Sequence, residues 1–151
     1  MCAHRNTTEL ERSRFRQHGN ADVTFDGRSM RAESTGPFNA EHIEASELTI
    51  RDLLAACPPN GPYVQLIRVH ESALFSMDLE AALRRMIENL RADGILSAAV
   101  AAVDEEGCDG FGLMFPRYAA IYASYGIPVR DFTSYAAAEA WLESVLAAAG
   151  K

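Results

Sequence analysis

Short apolar segments alternate with one-sided helical segments along most of this chain, and this alternation limits the fold more than any other feature. Residues 63–69, YVQLIRV, and residues 97–103, SAAVAAV, are short and apolar, which is typical of buried strands. Between them, residues 76–93 place apolar side chains at helical spacing. Because a strand–helix–strand order implies crossover connections, we predict a largely parallel sheet.

The N-terminal half adds a hairpin and a further helix. Residues 21–35 alternate apolar and polar side chains on both sides of Asp26-Gly27, a dipeptide typical of hairpin turns. Asn39 predicts the start of the next helix, and the prolines and glycine in residues 58–61 predict its end.

The C-terminal third predicts the remaining elements. A helix is expected over residues 116–125, a short strand over 129–132 and a last helix over 134–149. The complete order is then β-β-α-β-α-β-α-β-α. We therefore predict an α/β fold, in which a small mixed, mostly parallel sheet begins with the hairpin and packs against helices.

The length and the net charge of the chain indicate a single acidic domain. The 151 residues carry a net charge of −7, which argues against a nucleic-acid or anionic-membrane binder. Residues 1–20 differ, because they hold four arginines and two glutamates. We predict a frayed or peripheral N-terminal extension over residues 1–20, with an interaction arm as the alternative, and a single domain over residues 21–151.

Neither a membrane span nor a secretion signal is evident. No stretch approaches the roughly 18 consecutive apolar residues of a membrane span, and the first residues lack the apolar segment of a secretory signal. Cys2, Cys57 and Cys108 are widely separated, and Cys57 falls on a predicted helix face as a small buried residue. These features predict a reducing, cytoplasmic setting.

Several segments together resemble a known family. STGPFNAEHIE, residues 34–44, joins the predicted hairpin to the first helix, and an apolar strand precedes a leucine-rich helix. GIPVRDFTSYAAAEAWL, residues 126–142, forms the closing strand and helix. Over residues 21–147 the pattern resembles the STAS superfamily, and more narrowly its SpoIIAA-like or STAS/Sec14-like group. These motifs are structural, so the resemblance implies a fold more than an activity.

The resemblance implies protein interaction and no cofactor. Anti-anti-sigma members are switched by serine phosphorylation, whereas the SpoIIAA-like group largely lacks an assigned function, and the distantly similar Sec14-type domains bind lipids. The switch serine stands in Asp-Ser-Ser-Gly, a motif absent here, and would align with Met77 or Asp78. We expect the nearby Ser76 to cap the helix and Asp78 to favour its dipole, with phosphorylation of Ser76 as the alternative.

His70 and Glu71 follow the predicted central strand, where open parallel sheets tend to bind ligands. They would lie near residues 104–106 if the two strands are neighbours. His70 with Glu71 or Asp104 could then support acid–base chemistry or bind a metal. The four histidines show no metal-ligand spacing and no nucleophile motif is evident, so we expect a solvated loop, no metal and no enzyme.

The glycine-rich stretch GCDGFG, residues 107–112, also follows a strand. Its G-x-x-G-x-G spacing differs from the G-x-G-x-x-G of dinucleotide sites, and the lysine of a P-loop is missing. Neighbouring acidic residues would repel a phosphate, so we expect a flexible loop.

The following helix carries an aromatic face. Phe115, Tyr118, Tyr122 and Tyr125 share helical spacing. We expect a core face whose tyrosine hydroxyls reach solvent, with a surface for a partner or an apolar ligand as the alternative.

The sequence thus favours a non-enzymatic, cytoplasmic, STAS-like domain that acts through protein–protein contacts without the usual phospho-switch motif. The partner is not identified, and a homodimer is one expected assembly. The alternative is a small-molecule or lipid-binding module with a pocket between sheet and helices. The candidate interaction surface consists of His70, Glu71, Ser76, Asp78, Phe115, Tyr118, Tyr122 and Tyr125.

Overall fold

The computed structural model describes residues 2–10 and 17–150 and shows an α/β fold. Its six-stranded sheet carries the strands in the order of the sequence. The first three strands pair antiparallel, and each later pair is parallel, which confirms the mixed, mostly parallel sheet. The strands are β1 (Ala3–Asn6), β2 (Asn20–Phe25), β3 (Ser29–Thr35), β4 (Val64–His70), β5 (Val100–Val103) and β6 (Val129–Phe132).

Four helices cover the two faces of this sheet. They are α1 (Ala40–Ala56), α2 (Asp78–Ala92), α3 (Phe111–Ala123) and α4 (Tyr135–Ala149). Consecutive parallel strands are neighbours throughout, so right-handed crossovers place α1, α2 and α3 on one face. Helix α1 contacts α2, and α2 contacts α3, whereas α4 packs on β4, β5 and β6 from the opposite face.

The alternation of side chains along β4 separates two apolar cores. Val64 and Leu66 belong to the core under α4. Gln65, Ile67 and Val69 face α1 to α3. The larger core lies between the sheet and helices α1 to α3, and it is built around side chains from β2, α1 and α2.

Local capping and turn signals place several elements as predicted. The Asn39 side chain accepts a hydrogen bond from the His42 N–H at the start of α1. Ser134 does the same for Ala137 at the start of α4. In the hairpin turn, Asp26 Oδ1 accepts the N–H groups of Arg28 and Ser29, at 2.9 and 2.8 Å. These short-range bonds satisfy backbone donors that have no partner within the helix or strand.

Two helix starts differ from the prediction. Helix α3 begins at Phe111 rather than at residue 116, because Gly110 adopts a positive φ of 76° and starts the helix directly after the loop. Pro116 therefore lies inside α3. Helix α2 begins at Asp78, with Met77 as its N-cap and no side-chain capping bond. The prediction that Ser76 is the N-cap is therefore wrong.

The N-terminal segment joins the sheet in its described part. Strand β1 pairs antiparallel with β2 from Ala3 to Asn6, and residues Thr7–Leu10 form a 3₁₀ turn. Residues 2–10 are therefore a peripheral segment at the edge of the sheet rather than a frayed one. Residues 11–16 of the predicted extension lie outside the described residues.

A disulfide joins Cys2 to Cys57, whereas Cys108 is a buried free thiol. Cys57 is buried, as the sequence predicts, but it is bonded to another cysteine rather than being a simple apolar side chain. The disulfide contrasts with the reducing setting that the cysteine spacing predicts. Within residues 2–10 and 17–150, none of the helices has the length and apolar character needed to cross a bilayer.

Candidate functional site

The loops that follow β3, β4 and β5 are tied together by backbone hydrogen bonds at the C-terminal ends of these strands. An isolated parallel bridge pairs Phe38 with Phe75, and a second pairs Ser72 with Asp109. The backbone N–H of Ser76 donates to the Phe38 carbonyl at 3.0 Å. The stretch after β4 is therefore held from both sides before α2 begins, and it is not a free loop.

A cavity of about 140 Å³ lies between the sheet and helices α1, α2 and α3, beneath these tied loops. Apolar side chains form most of its wall. The strands contribute Val23, Met30, Ala32, Ile67, Val69 and Ala102, and the helices contribute Ile43, Ile50, Leu79, Leu83, Met86 and Tyr122.

Partly exposed aromatic residues form the outer wall of the cavity. Phe75 comes from the loop after β4, and Phe111 and Phe115 come from α3, where their rings stack 5.5 Å apart. Leu74 and Leu113, which neighbour these residues in the chain, are exposed. The apolar surface therefore continues from the cavity to the outside of the molecule.

A few buried polar side chains also line the cavity. His42, in the first turn of α1, is 6% exposed, and burial lowers its pKa to about 4. Its Nδ1 lies 3.4 Å from Gln17 Nε2. Gln17 Nε2 also donates to Thr7 Oγ1 at 2.8 Å, which connects the N-terminal segment to α1. Ser34, Thr49 and Gln65 are further buried polar residues of this wall.

His70 is part of a charged network on the opposite face of the sheet. Its Nε2 lies 3.0 Å from Glu33 Oε1 and its Nδ1 lies 2.5 Å from Glu106 Oε2. The hydrogen bonds with Glu33 and Glu106 raise the pKa of His70. Arg68 donates to Glu33 and Glu105 and stacks over the Tyr135 ring. The network bridges β3, β4, the loop after β5 and the start of α4.

The predicted proximity of His70 to residues 104–106 is confirmed, but the partners differ. Glu71 is exposed and has a positive φ of 65°. Asp104 instead accepts the Cys108 N–H at 2.8 Å. Burial, followed by Asp104, raises the pKa of the Cys108 thiol to about 12, so it remains protonated at neutral pH. His70 thus forms ion pairs with Glu33 and Glu106 rather than with Glu71 or Asp104.

Ser76 and Asp78 lie on the surface beside the cavity. The Ser76 hydroxyl donates to the Asp78 carboxylate. Both residues are exposed, and so is Met77 between them. The dipole role of Asp78 is consistent with its place as the first residue of α2.

The aromatic face of α3 is divided between core and surface. Tyr122 is 1% exposed, and burial raises its pKa well above the usual range. Phe115 and Tyr118 are half-buried in the cavity wall. Tyr125, also half-buried, donates its hydroxyl to Glu88 at 2.7 Å. Tyr122 is therefore buried away from any partner protein, whereas Phe115, Tyr118 and Tyr125 are only partly buried.

The sequence did not reveal the polar residues of the cavity. One signal was present, because His42, Ser46 and Thr49 continue the helical spacing of the apolar stripe on α1. Gln65, inside an otherwise apolar strand, is a second such signal. Glu33 gave none, because its pairing with His70 joins residues 37 positions apart.

The described residues include no group of three or more His, Cys, Asp or Glu side chains that could hold a metal ion. No family model, curated protein or solved structure matches this chain.

Proposed function

We propose that this chain binds a small, mostly apolar molecule in the cavity between the sheet and helices α1 to α3. The observation that carries the proposal is the cavity itself, with its volume of about 140 Å³ and its apolar wall. Protein interiors are normally packed as densely as organic crystals. Apolar surface that stays in contact with water is unfavourable by about 25 cal/mol per Å², and a bound apolar ligand would remove that contact.

The volume favours a ligand of roughly benzene's size. An engineered apolar cavity of about 150 Å³ in another protein binds benzene or xenon and stays free of water. A complete lipid exceeds such a volume, so the small-molecule form of the binding hypothesis is favoured over the lipid form. The partly exposed rings of Phe75, Phe111 and Phe115 offer an entry route.

Titration with benzene, followed by backbone amide NMR, tests the proposal. We expect shift changes concentrated on residues of the cavity wall. Ala102 lines the cavity from β5, so Ala102→Leu should fill it and abolish these changes. Ala140→Leu is the matched control, because Ala140 is exposed on α4 and its variant should bind as the wild type does.

If Ala102→Leu overpacks the core, the smaller Ala102→Val variant reduces the volume with less disturbance. Absence of benzene-dependent shifts in the wild type would refute the proposal, and so would equal binding by the well-folded filled variant and the control. Native mass spectrometry of freshly purified protein gives an independent measurement, in which a retained small ligand supports the proposal and a mass without ligand opposes it.

A second candidate function is protein–protein contact by a STAS-like domain. Met77 is 85% exposed and Leu113 is 66% exposed, and such large apolar side chains at the surface are typical of interaction sites when they are grouped. Met77 lies between Ser76 and Asp78 at the start of α2, and Leu113 lies in the first turn of α3. Size-exclusion chromatography with light scattering tests self-association, which Met77→Glu and Leu113→Glu should weaken. A strict monomer at high concentration would exclude the homodimer.

A further inference from the structure

The wall of the cavity indicates that its ligand is uncharged. Among the described residues that line it, none is an arginine, lysine, aspartate or glutamate. A buried ion without a partner of opposite charge loses its hydration with little compensation. His42 is the one lining residue whose ordinary pKa lies near neutral pH. Burial lowers the pKa of His42 to about 4, so its ring is neutral at pH 7.

His42 provides a hydrogen-bond donor at this wall. Gln17 Nε2 donates its two hydrogens to Thr7 Oγ1 and to the Gly19 carbonyl, each at 2.8 Å, and lies 3.4 Å from His42 Nδ1. A proton on Nδ1 would point at this donor group, so the neutral ring is better accommodated with its proton on Nε2, and Nδ1 receives at most a weak, shared hydrogen bond. In the part of the chain that the structure describes, no residue is hydrogen-bonded to Nε2. The donor is thus available within a largely apolar cavity.

A second polar group lies on the facing strand. Ser34 is 5% exposed and lines the cavity from the end of β3, on the sheet side of the cavity. Ser46, on α1, differs because its hydroxyl already donates to the His42 carbonyl at 2.8 Å. His42 and Ser34 are therefore the polar groups that we assign to the ligand, and we refer to them as the polar end of the cavity; the apolar body of a ligand would contact the apolar side chains of the wall.

We propose that the ligand is a small neutral molecule with one oxygen acceptor, such as a cyclic ketone, whose oxygen accepts a hydrogen bond from His42 Nε2, with Ser34 beside it. This inference rests on the proposed binding function and specifies the ligand class. A buried carbonyl that loses its hydrogen-bond donor is disfavoured far more than a hydrocarbon of the same shape, because the hydrocarbon forms no hydrogen bond.

Two probes of equal shape test the inference. Cyclohexanone and methylenecyclohexane differ only in the exchange of a carbonyl oxygen for a CH₂ group. We would measure both affinities by NMR titration of the wild type, His42→Leu and Ser34→Ala. The ratio of ketone to hydrocarbon affinity should fall about tenfold in His42→Leu and by a smaller factor in Ser34→Ala. Ser144→Ala is the matched control, because the Ser144 hydroxyl also donates to a helix carbonyl but lies exposed on α4, outside the cavity wall, so this variant should keep the wild-type ratio.

The outcomes separate this inference from the function on which it rests. Binding of neither probe by the wild type would refute the proposed function. Binding of both probes, with the same ratio in the wild type and in His42→Leu, would leave the cavity function in place and overturn the role of His42. If the wild type bound cyclohexanecarboxylate as tightly as cyclohexanone, the inference that the ligand is uncharged would be overturned. If His42→Leu does not fold, an unchanged ratio of ketone to hydrocarbon affinity in Ser34→Ala still contradicts the assignment of Ser34 to the polar end of the cavity.

Discussion

Cys2 and Cys57 connect the outermost strand of the sheet to the C-terminal end of α1 through a disulfide, with their Cα atoms 6.0 Å apart. The bond closes a loop between residues separated by 55 positions. Arg5 and Asp52 form an ion pair between the same two elements at 2.5 Å. Because Thr7 follows β1 and lines the cavity, this connection also fixes part of the cavity wall.

The disulfide should stabilise the fold, because it restricts the unfolded chain. For a loop of this length we expect Cys2→Ser to lower the free energy of unfolding by about 2–4 kcal/mol. Urea unfolding followed by circular dichroism measures the change. A reducing agent should destabilise the wild type by a similar amount and leave Cys2→Ser unaffected. Equal stability of the oxidised and reduced wild type would contradict the expectation.

The sequence predicted features that depend on neighbouring residues. Asn39 and Ser134 mark helix starts with bonds that reach only three residues along the chain. The start of α3 was misplaced because proline is most common in the first turn of a helix, and Pro116 was therefore interpreted as marking the start. The conformation of Gly110 sets the actual start.

The candidate sites depend on pairs that are distant in sequence, so most of their geometry could not be predicted. His70 was correctly placed near residues 104–106, because the order of parallel strands predicts which loops meet. Its bond with Glu33 and the bond between Cys2 and Cys57 require knowledge of register and of side-chain direction. The cavity is a consequence of packing volume, which no local pattern encodes.

Gly36 is expected to tolerate no larger side chain. A Cβ atom at this position would fall within the van der Waals radius of the Ser72 carbonyl oxygen, and backbone cannot move aside as a flexible side chain can. Gly36→Ala should therefore cost at least about 2 kcal/mol in the free energy of unfolding and disturb the tied loops. Thermal and urea unfolding provide the measurement.

Gly112→Ala is the matched control for that substitution. A Cβ atom at Gly112 meets nothing within 4 Å, and the residue lies in α3. Alanine is the better helix former, so this variant should be as stable as the wild type or about 0.5–1 kcal/mol more stable. Equal losses in the two variants would show that the contact with Ser72 is not the cause.

His70 should make stability fall as the pH rises above neutrality. Its folded-state pKa is raised by the hydrogen bonds with Glu33 and Glu106. The contribution is therefore complete below about pH 6.5, the pKa of an unfolded histidine, and is lost as the pH rises through the folded-state value. The loss should be small, about 1 kcal/mol or less, since partly exposed ion pairs contribute little.

Urea unfolding of the wild type and His70→Gln between pH 5.5 and 8.5 tests this expectation, with the pH range set around the unfolded pKa of about 6.5. The wild type should lose its advantage over the variant as the pH rises. Glu33→Gln should flatten the dependence partly, because Glu106 still faces the ring. Parallel curves for the wild type and His70→Gln would exclude a role for this histidine in the pH dependence.

His42 should have the opposite effect, because burial lowers its folded-state pKa to about 4. Between about pH 6.5 and 4 the unfolded chain binds a proton that the folded chain excludes, so stability is full above this window and falls as the pH decreases. The shift corresponds to about 3 kcal/mol. Urea unfolding from pH 7 to 4 should therefore show a steeper loss for the wild type than for His42→Gln. The slopes are compared rather than the absolute stabilities, because the substitution also changes packing beside Phe38. Equal slopes would mean that His42 takes up its proton in the folded protein as readily as in the unfolded chain.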